Sequence, residues 1–139
     1  MNVYYTDGST APNPGDGGWA VVLNGETVAS GAAKNTTNIR MEGYALGAAI
    51  QEGVKSGRSY KIMTDSMFWC NVLTKWAPGW EAKGWKKSSK GEIENLDLVK
   101  RLFALFNEAK PQIEWVRGHN NDPGNEAADA AANLAREQG

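Results

Sequence analysis

Hydrophobic and polar positions alternate at the start of the chain and change to a helical period only near residue 39. Over residues 2–7, Val3, Tyr5 and Asp7 share one face and Tyr4 and Thr6 the other, which is a strand pattern. The Gly- and Pro-rich stretch from Gly8 to Gly18 is expected to be a loop. Trp19–Leu23 reads as a second strand, Asn24-Gly25 as a two-residue hairpin turn, and Thr27–Ala32 as the returning third strand. Thr36-Thr37-Asn38 supplies side chains suited to opening a helix. From about 39 to 55, Leu46, Ala49, Ile50 and Val54 recur at spacings of three and four, and Gly57 ends the run. Ser59–Thr64 is the fourth strand; because a helix precedes it, it should lie parallel to an earlier strand. A short helical stretch runs to about Leu73, and an amphipathic helix runs from Glu92 to Ala109 with Ile93, Leu96, Phe103 and Phe106 near helical spacing. Gln112–Val116 is the fifth strand. Asp122-Pro123 then opens an Ala-rich last helix with an N-cap and a first-turn proline. These elements predict an α/β fold forming one domain over residues 1–139.

Four acids sit where the pattern gives them no structural reason. Tyr5-Thr6-Asp7 and Met63-Thr64-Asp65 each end a strand run on a carboxylate, so parallel neighbouring strands would bring Asp7 and Asp65 side by side. Glu42 lies four residues before Leu46, at the top of the apolar stripe. It either reaches water at the stripe's edge or is held by a partner or a cation. Asp129 lies inside the last helix, beyond the reach of capping or of the helix dipole. Carboxylates drawn from separate elements can converge on one point, and oxygen-only ligands select hard cations such as Mg²⁺ or Mn²⁺. Four of them roughly neutralise two divalent ions, a set suited to in-line phosphoryl transfer.

Charge adds a second signal. The net charge is −1, which argues against a generic polyanion binder. Residues 75–90 depart from that balance, with Lys75, Lys83, Lys86, Lys87 and Lys90 set against Glu81 alone and interleaved with Trp76, Trp80 and Trp85. Such a segment either grips a nucleic-acid backbone or is a solvated turn whose tryptophans pack locally. His119, the sole histidine, follows Gly118 at the end of the fifth strand; it serves either as a proton shuttle or ligand, or as an ordinary surface residue. The single cysteine, Cys70, excludes an intrachain disulfide and fits a reducing, cytoplasmic setting. No apolar run reaches the length of a membrane span, and the N-terminus carries no secretion signal, so neither a membrane nor an export route is expected. The Gly-rich stretch lacks the Lys-Ser/Thr ending of a phosphate-binding P-loop.

Together these stretches resemble type 1 ribonuclease H of the bacterial kind. The resemblance is carried by Tyr5-Thr6-Asp7-Gly8-Ser9, Asn13-Pro14-Gly15 with Gly17-Gly18, Thr36-Thr37-Asn38 leading into Arg40-Met41-Glu42, Thr64-Asp65-Ser66, Gly84-Trp85, and Gly118-His119 with Asn125-Glu126-Ala127-Ala128-Asp129. It implies a five-stranded mixed sheet of order 3-2-1-4-5 with helices on both faces. It implies cleavage of the RNA strand of RNA–DNA hybrids, leaving 3′-hydroxyl and 5′-phosphate ends. Asp7, Glu42, Asp65 and Asp129 would hold two Mg²⁺ ions, with Mn²⁺ as a substitute, and Asp7 would bridge both. His119 would assist proton transfer or product release. Asn13 and Asn38 would contact the RNA strand near its 2′-hydroxyls, and Thr37 and Arg40 would flank a pocket for a DNA phosphate. The Lys75–Lys90 segment, with Trp76, Trp80, Lys83, Trp85, Lys86 and Lys87, would be the basic protrusion that grips the hybrid. A monomer is expected. Two residues depart from the family pattern: Met67 stands where relatives often have Gln, and Asn121 where Gly is common, which is expected to stiffen the histidine loop. A hybrid-binding domain without turnover is the alternative from another class, and the four intact acids argue against it.

Overall fold

A computed structural model describes residues 1–86, 93–118 and 121–139. Three strands open the fold, β1 (Asn2–Ala11), β2 (Gly15–Leu23) and β3 (Glu26–Thr36). Helix α1 (Asn38–Ser56) crosses to β4 (Tyr60–Thr64). A continuous helical path follows: α2 (Met67–Asn71), a π-helical turn (Val72–Trp76) and α3 (Ala77–Ala82). Helix α4 (Leu96–Ala109), β5 (Gln112–Trp115) and α5 (Pro123–Gln138) complete it. The five strands lie in the order β3-β2-β1-β4-β5, the order implied by the resemblance. β2 is antiparallel to β1 and β3, whereas β1 with β4 and β4 with β5 are parallel. The helical crossover therefore does what its length requires, returning the chain in the same direction.

The Asn24-Gly25 turn forms as expected, with positive φ at both residues (53° and 82°), the conformation such a hairpin needs. The stretch Gly8–Gly18, by contrast, is mostly strand. β1 runs on to Ala11, and its ladder with β2 pairs Gly8 with Trp19, Ser9 with Gly18 and Thr10 with Gly17. The glycines are there for clearance. A Cβ on Gly17 would collide with the side chains of Thr36, Met41 and Thr10, whereas one on Gly18 would collide with α5 backbone at Ala132 and Arg136. Successive residues of a strand face opposite ways, so α1 and α5 pack on opposite faces of the sheet.

Helix α1 is capped by Thr37, whose hydroxyl accepts from the Arg40 N–H, and it ends at Gly57 in the left-handed conformation. Its stripe is corrected at one position: Val54 is 59% exposed. Gly53 takes the inward place in that turn, against the Tyr60 ring, and Val54 turns outward. Helix α4 begins at Leu96, not Glu92. Asn95 precedes it with φ 58°, and Ile93 is buried ahead of the helix rather than within it. The helical stretch after Asp65 outruns its expected end at Leu73 and continues to Ala82. Tyr4, Val21, Leu46, Ile50, Ile62, Trp69, Leu102 and Phe103 form one core around α1. Trp69 is fully buried there, and its indole N–H donates to the Ile39 carbonyl at 2.7 Å, so the buried polar edge is satisfied. On the other face, Ala128 and Ala132 of α5 are buried; their small side chains let that helix lie close to β1 and β2.

Candidate active site

The β1–β4 ladder ends with Thr6 opposite Thr64, and β4 stops there. Asp7 and Asp65 are the next residues on each chain, so their carboxylates meet where β4 has run out. Asp7 is not at a strand end, as its sequence context had indicated. It lies inside the longer β1, which stays paired with β2 through Ala11, and only its β4 side is open. The Gly8 N–H donates to Asp7 Oδ1 at 2.9 Å and fixes that carboxylate. Gly8 also brings in the third acid. A Cβ on Gly8 would lie 2.5 Å from the Glu42 nitrogen and 2.6 Å from the Met41 carbonyl carbon, so only glycine lets the first turn of α1 come this close.

Asp7, Glu42 and Asp65 each offer an oxygen within 4.8 Å of the other two. Asp7 is 4% exposed, and Glu42 Oε2 is shut off from water with no hydrogen-bond partner among the described residues. Burial, then the charge of Asp65, pushes the Asp7 carboxyl far above the usual carboxylate range. Burial, then Asp7 and Asp65, pushes Glu42 upward as well. Without a cation such a group must take up protons, because buried like charges this close cannot all ionise. An orphaned buried carboxylate oxygen beside two more carboxylates, with no nitrogen or sulfur donor in the set, fits a hard divalent ion. Asp129, on α5, adds to the upward push on the Asp7 carboxyl but stands outside the tight trio.

Strand β5 supports the site. The Trp115 indole N–H donates to the Asp65 carbonyl at 3.2 Å, and the Val116 N–H donates to the Thr64 carbonyl at 2.8 Å. Gly118 lies so near that a Cβ there would be 2.9 Å from Asp65 Oδ2. No local pattern marks Trp115 or Gly118 for this role; only the β4–β5 pairing brings them to Asp65. His119 lies outside the described residues. Asn121 adopts φ 58°, a conformation that asparagine tolerates nearly as glycine does, so its side chain fits where a glycine would serve.

The family model for RNase H matches residues 1–137. The chain belongs to the ribonuclease H family. Proteins named Ribonuclease H from Cupriavidus pinatubonensis and Ruthia magnifica are similar to it. The first is 42% identical over 134 residues, covering 94% of this chain and 92% of that protein. The second is 37% identical over 139 residues, covering 98% and 95%. Among solved structures, LC9-RNase H1, described as a type 1 RNase H with the type 2 active-site motif, matches with a TM-score of 0.81 at 27% identity, covering 99% of this chain and 72% of that one. The foamy viral protease-reverse transcriptase in complex with RNA/DNA hybrid shares the fold, with a TM-score of 0.80 at 17% identity, over 99% of this chain and 20% of its own.

The ribonuclease H sheet carries a second group of residues near the start of α1. Asn13 Oδ1 accepts from the Asn38 N–H at 3.2 Å, and Asn38 Oδ1 accepts from the Thr10 N–H at 2.8 Å and hydroxyl at 2.6 Å. Asn13 and Thr37 line one side of an open cavity of about 530 Å³ whose other side is Glu94 and Asn95. Arg40, expected to flank a phosphate pocket, is ion-paired with Asp97 at 2.9 Å. In the Lys/Trp segment the tryptophans divide. Trp85 packs edge-on against Phe103 at 6.0 Å, with the Lys100 ammonium 5.8 Å from its ring centre, and Trp80 packs against the core. Trp76 stays exposed, between Phe68 and Trp80. Lys83 and Lys86 are exposed, and Lys87 lies outside the described residues. Among the described residues no helix is long and apolar enough to cross a membrane.

Proposed function

We propose that this chain is a metal-dependent endonuclease that hydrolyses the RNA strand of RNA–DNA hybrids and leaves 3′-hydroxyl and 5′-phosphate ends. The observation that carries the reading is the trio Asp7, Glu42 and Asp65, with ligand oxygens within 4.8 Å of one another and Glu42 Oε2 buried without a partner. Family membership and the names of the relatives support the substrate. Asp7, Glu42, Asp65 and Asp129 would hold the divalent ions, Mg²⁺ with Mn²⁺ as a substitute. When bound, the ions polarise the phosphoryl oxygen, lower the pKa of the attacking water and offset charge on the leaving oxygen.

The chain's own groups do the rest. The Gly8 N–H orients Asp7, and Trp115 and Gly118 keep Asp65 against it. Burial and their mutual repulsion make Asp7 and Glu42 hold protons that a cation would have to displace, so metal affinity would rise with pH. Asn13, Thr37 and Asn38 contact the strands of the hybrid, and recognition through the 2′-hydroxyl separates RNA from DNA. Trp76, Lys83, Lys86 and Lys87 hold the backbone, and His119 aids proton transfer or product release. The domain acts as a monomer.

The test is cleavage of an end-labelled RNA–DNA hybrid with Mg²⁺, beside the same RNA as a single strand and as an RNA–RNA duplex. Cutting confined to the hybrid and lost with EDTA is the expected result. A retarded hybrid band without cutting would replace the enzyme reading with a binding module.

A further inference from the structure

Asp97 is an exposed acid beside a face proposed to bind a polyanion, where charge alone would weaken binding. Its carboxylate nevertheless holds Arg40 through both oxygens, with Nη1 donating to Oδ1 at 3.1 Å and Nη2 to Oδ2 at 2.9 Å. Nη1 also donates to Asn95 Oδ1 at 3.2 Å, Nη2 reaches the Tyr44 hydroxyl at 3.5 Å, and the guanidinium carbon lies 5.8 Å from the centre of the Tyr44 ring. A guanidinium is donor-only, so whatever meets it must present an acceptor. That fixes the Asn95 amide with its oxygen toward Arg40 and its NH₂ turned away, on a residue that lines the open cavity with Asn13 and Thr37.

The same asymmetry recurs along this rim. Asn13 and Asn38 also commit their oxygens to protein N–H and O–H donors. Three asparagines therefore give their acceptors to the protein, and among the described residues their NH₂ groups make no hydrogen bond. A wall of this kind addresses ligand oxygens, whether sugar hydroxyl or phosphate.

We propose that Asp97 and Arg40 are positioning residues whose ion pair fixes the Asn95 amide donor-side outward, so that a surface acid strengthens nucleic-acid binding. The proposal rests on the nuclease reading of the site. Steady-state cleavage of the hybrid by the full chain tests it. Asp97→Ala should raise KM about three- to tenfold, the worth of one neutral hydrogen bond, with kcat within about twofold. Asp97→Glu should restore part of the loss. Arg40→Lys keeps the charge but loses the planar fork, and it should match Asp97→Ala. Glu94→Gln removes an acid from the same rim without touching the relay; its KM should stay level or fall. An unchanged or lower KM for Asp97→Ala, or a wild-type KM for Arg40→Lys, would overturn the relay. The NMR signals of the Asn95 side-chain NH₂ give a readout that needs no activity. They should be a distinct pair in the native chain and collapse toward free-amide positions in Asp97→Ala at an unchanged unfolding midpoint; unaltered signals would likewise overturn the relay. A native chain that leaves the hybrid uncut would remove the nuclease reading, and the NMR comparison would still decide the relay.

Discussion

Replacing Asp7 with Asn should make the metal-free protein more stable while abolishing cleavage. Oxygens of Asp7, Glu42 and Asp65 lie within 4.8 Å of one another. At an effective dielectric of ~20, two full charges at that separation repel by about 3.5 kcal/mol. The cluster offsets part of this by binding protons, which is why burial and its neighbours raise both Asp7 and Glu42. Near neutral pH the cost left on Asp7, in repulsion and in the proton it must hold, is on the order of 1–3 kcal/mol, and the substitution removes it. The amide keeps an oxygen for the Gly8 N–H, so that hydrogen bond is retained. For a domain of this size the gain is a rise in Tm of roughly 3–10 °C. Its sign with pH follows from the raised values. Between about pH 4, where unfolded carboxylates titrate, and the raised folded values, the native state holds more protons than the unfolded chain. Native stability therefore falls as pH rises through that window, and the advantage of Asp7→Asn grows. Thermal unfolding in EDTA at pH 5 and pH 8, repeated with Mg²⁺, measures this; Mg²⁺ should stabilise the native protein and barely affect the variant. A variant less stable than the native chain in EDTA at pH 8, or a gain that shrinks between pH 5 and pH 8, would refute the reasoning.

Gly8→Ala forces a methyl group into the backbone of α1 at Met41 and Glu42, which should cost about 1–3 kcal/mol and weaken Mg²⁺ binding at least tenfold; calorimetric titration with a native-like affinity would count against the packing argument. Asp122→Ala removes the side chain that accepts from the Gly124 and Asn125 N–H groups at 3.0 and 3.2 Å, and chemical denaturation should show a loss of about 1 kcal/mol. Replacing Lys83, Lys86 and Lys87 together with Ala should weaken hybrid binding and flatten its dependence on salt by roughly 0.9 in log–log slope per lost phosphate contact, at a nearly unchanged saturated rate. Affinity unaltered at every salt concentration would show that the basic segment does not grip the hybrid.

Local chemistry was enough to read much of this protein. The Asn24-Gly25 turn, the Thr37 and Asp122 caps, and the crossover from α1 into β4 depend on a few neighbouring residues, and each forms as its sequence demands. Asp7 and Asp65 were legible as a pair because a parallel register between two Thr-Asp runs leaves little choice. What the tertiary structure decided concerns residues far apart in the chain. Gly8, Gly17 and Gly18 look like loop glycines, yet they are strand residues stripped of side chains so that α1 and α5 can approach. Val54 shares the apolar period of its helix but meets no core, because Gly53 and Tyr60 close that turn. Asp97 has no local motif, and it reaches Arg40 only because α4 packs on α1, some 57 residues away along the chain. Propensity and periodicity act over a turn or a strand. The direction in which a buried amide or carboxylate points is set by whichever distant donor or acceptor the fold brings against it.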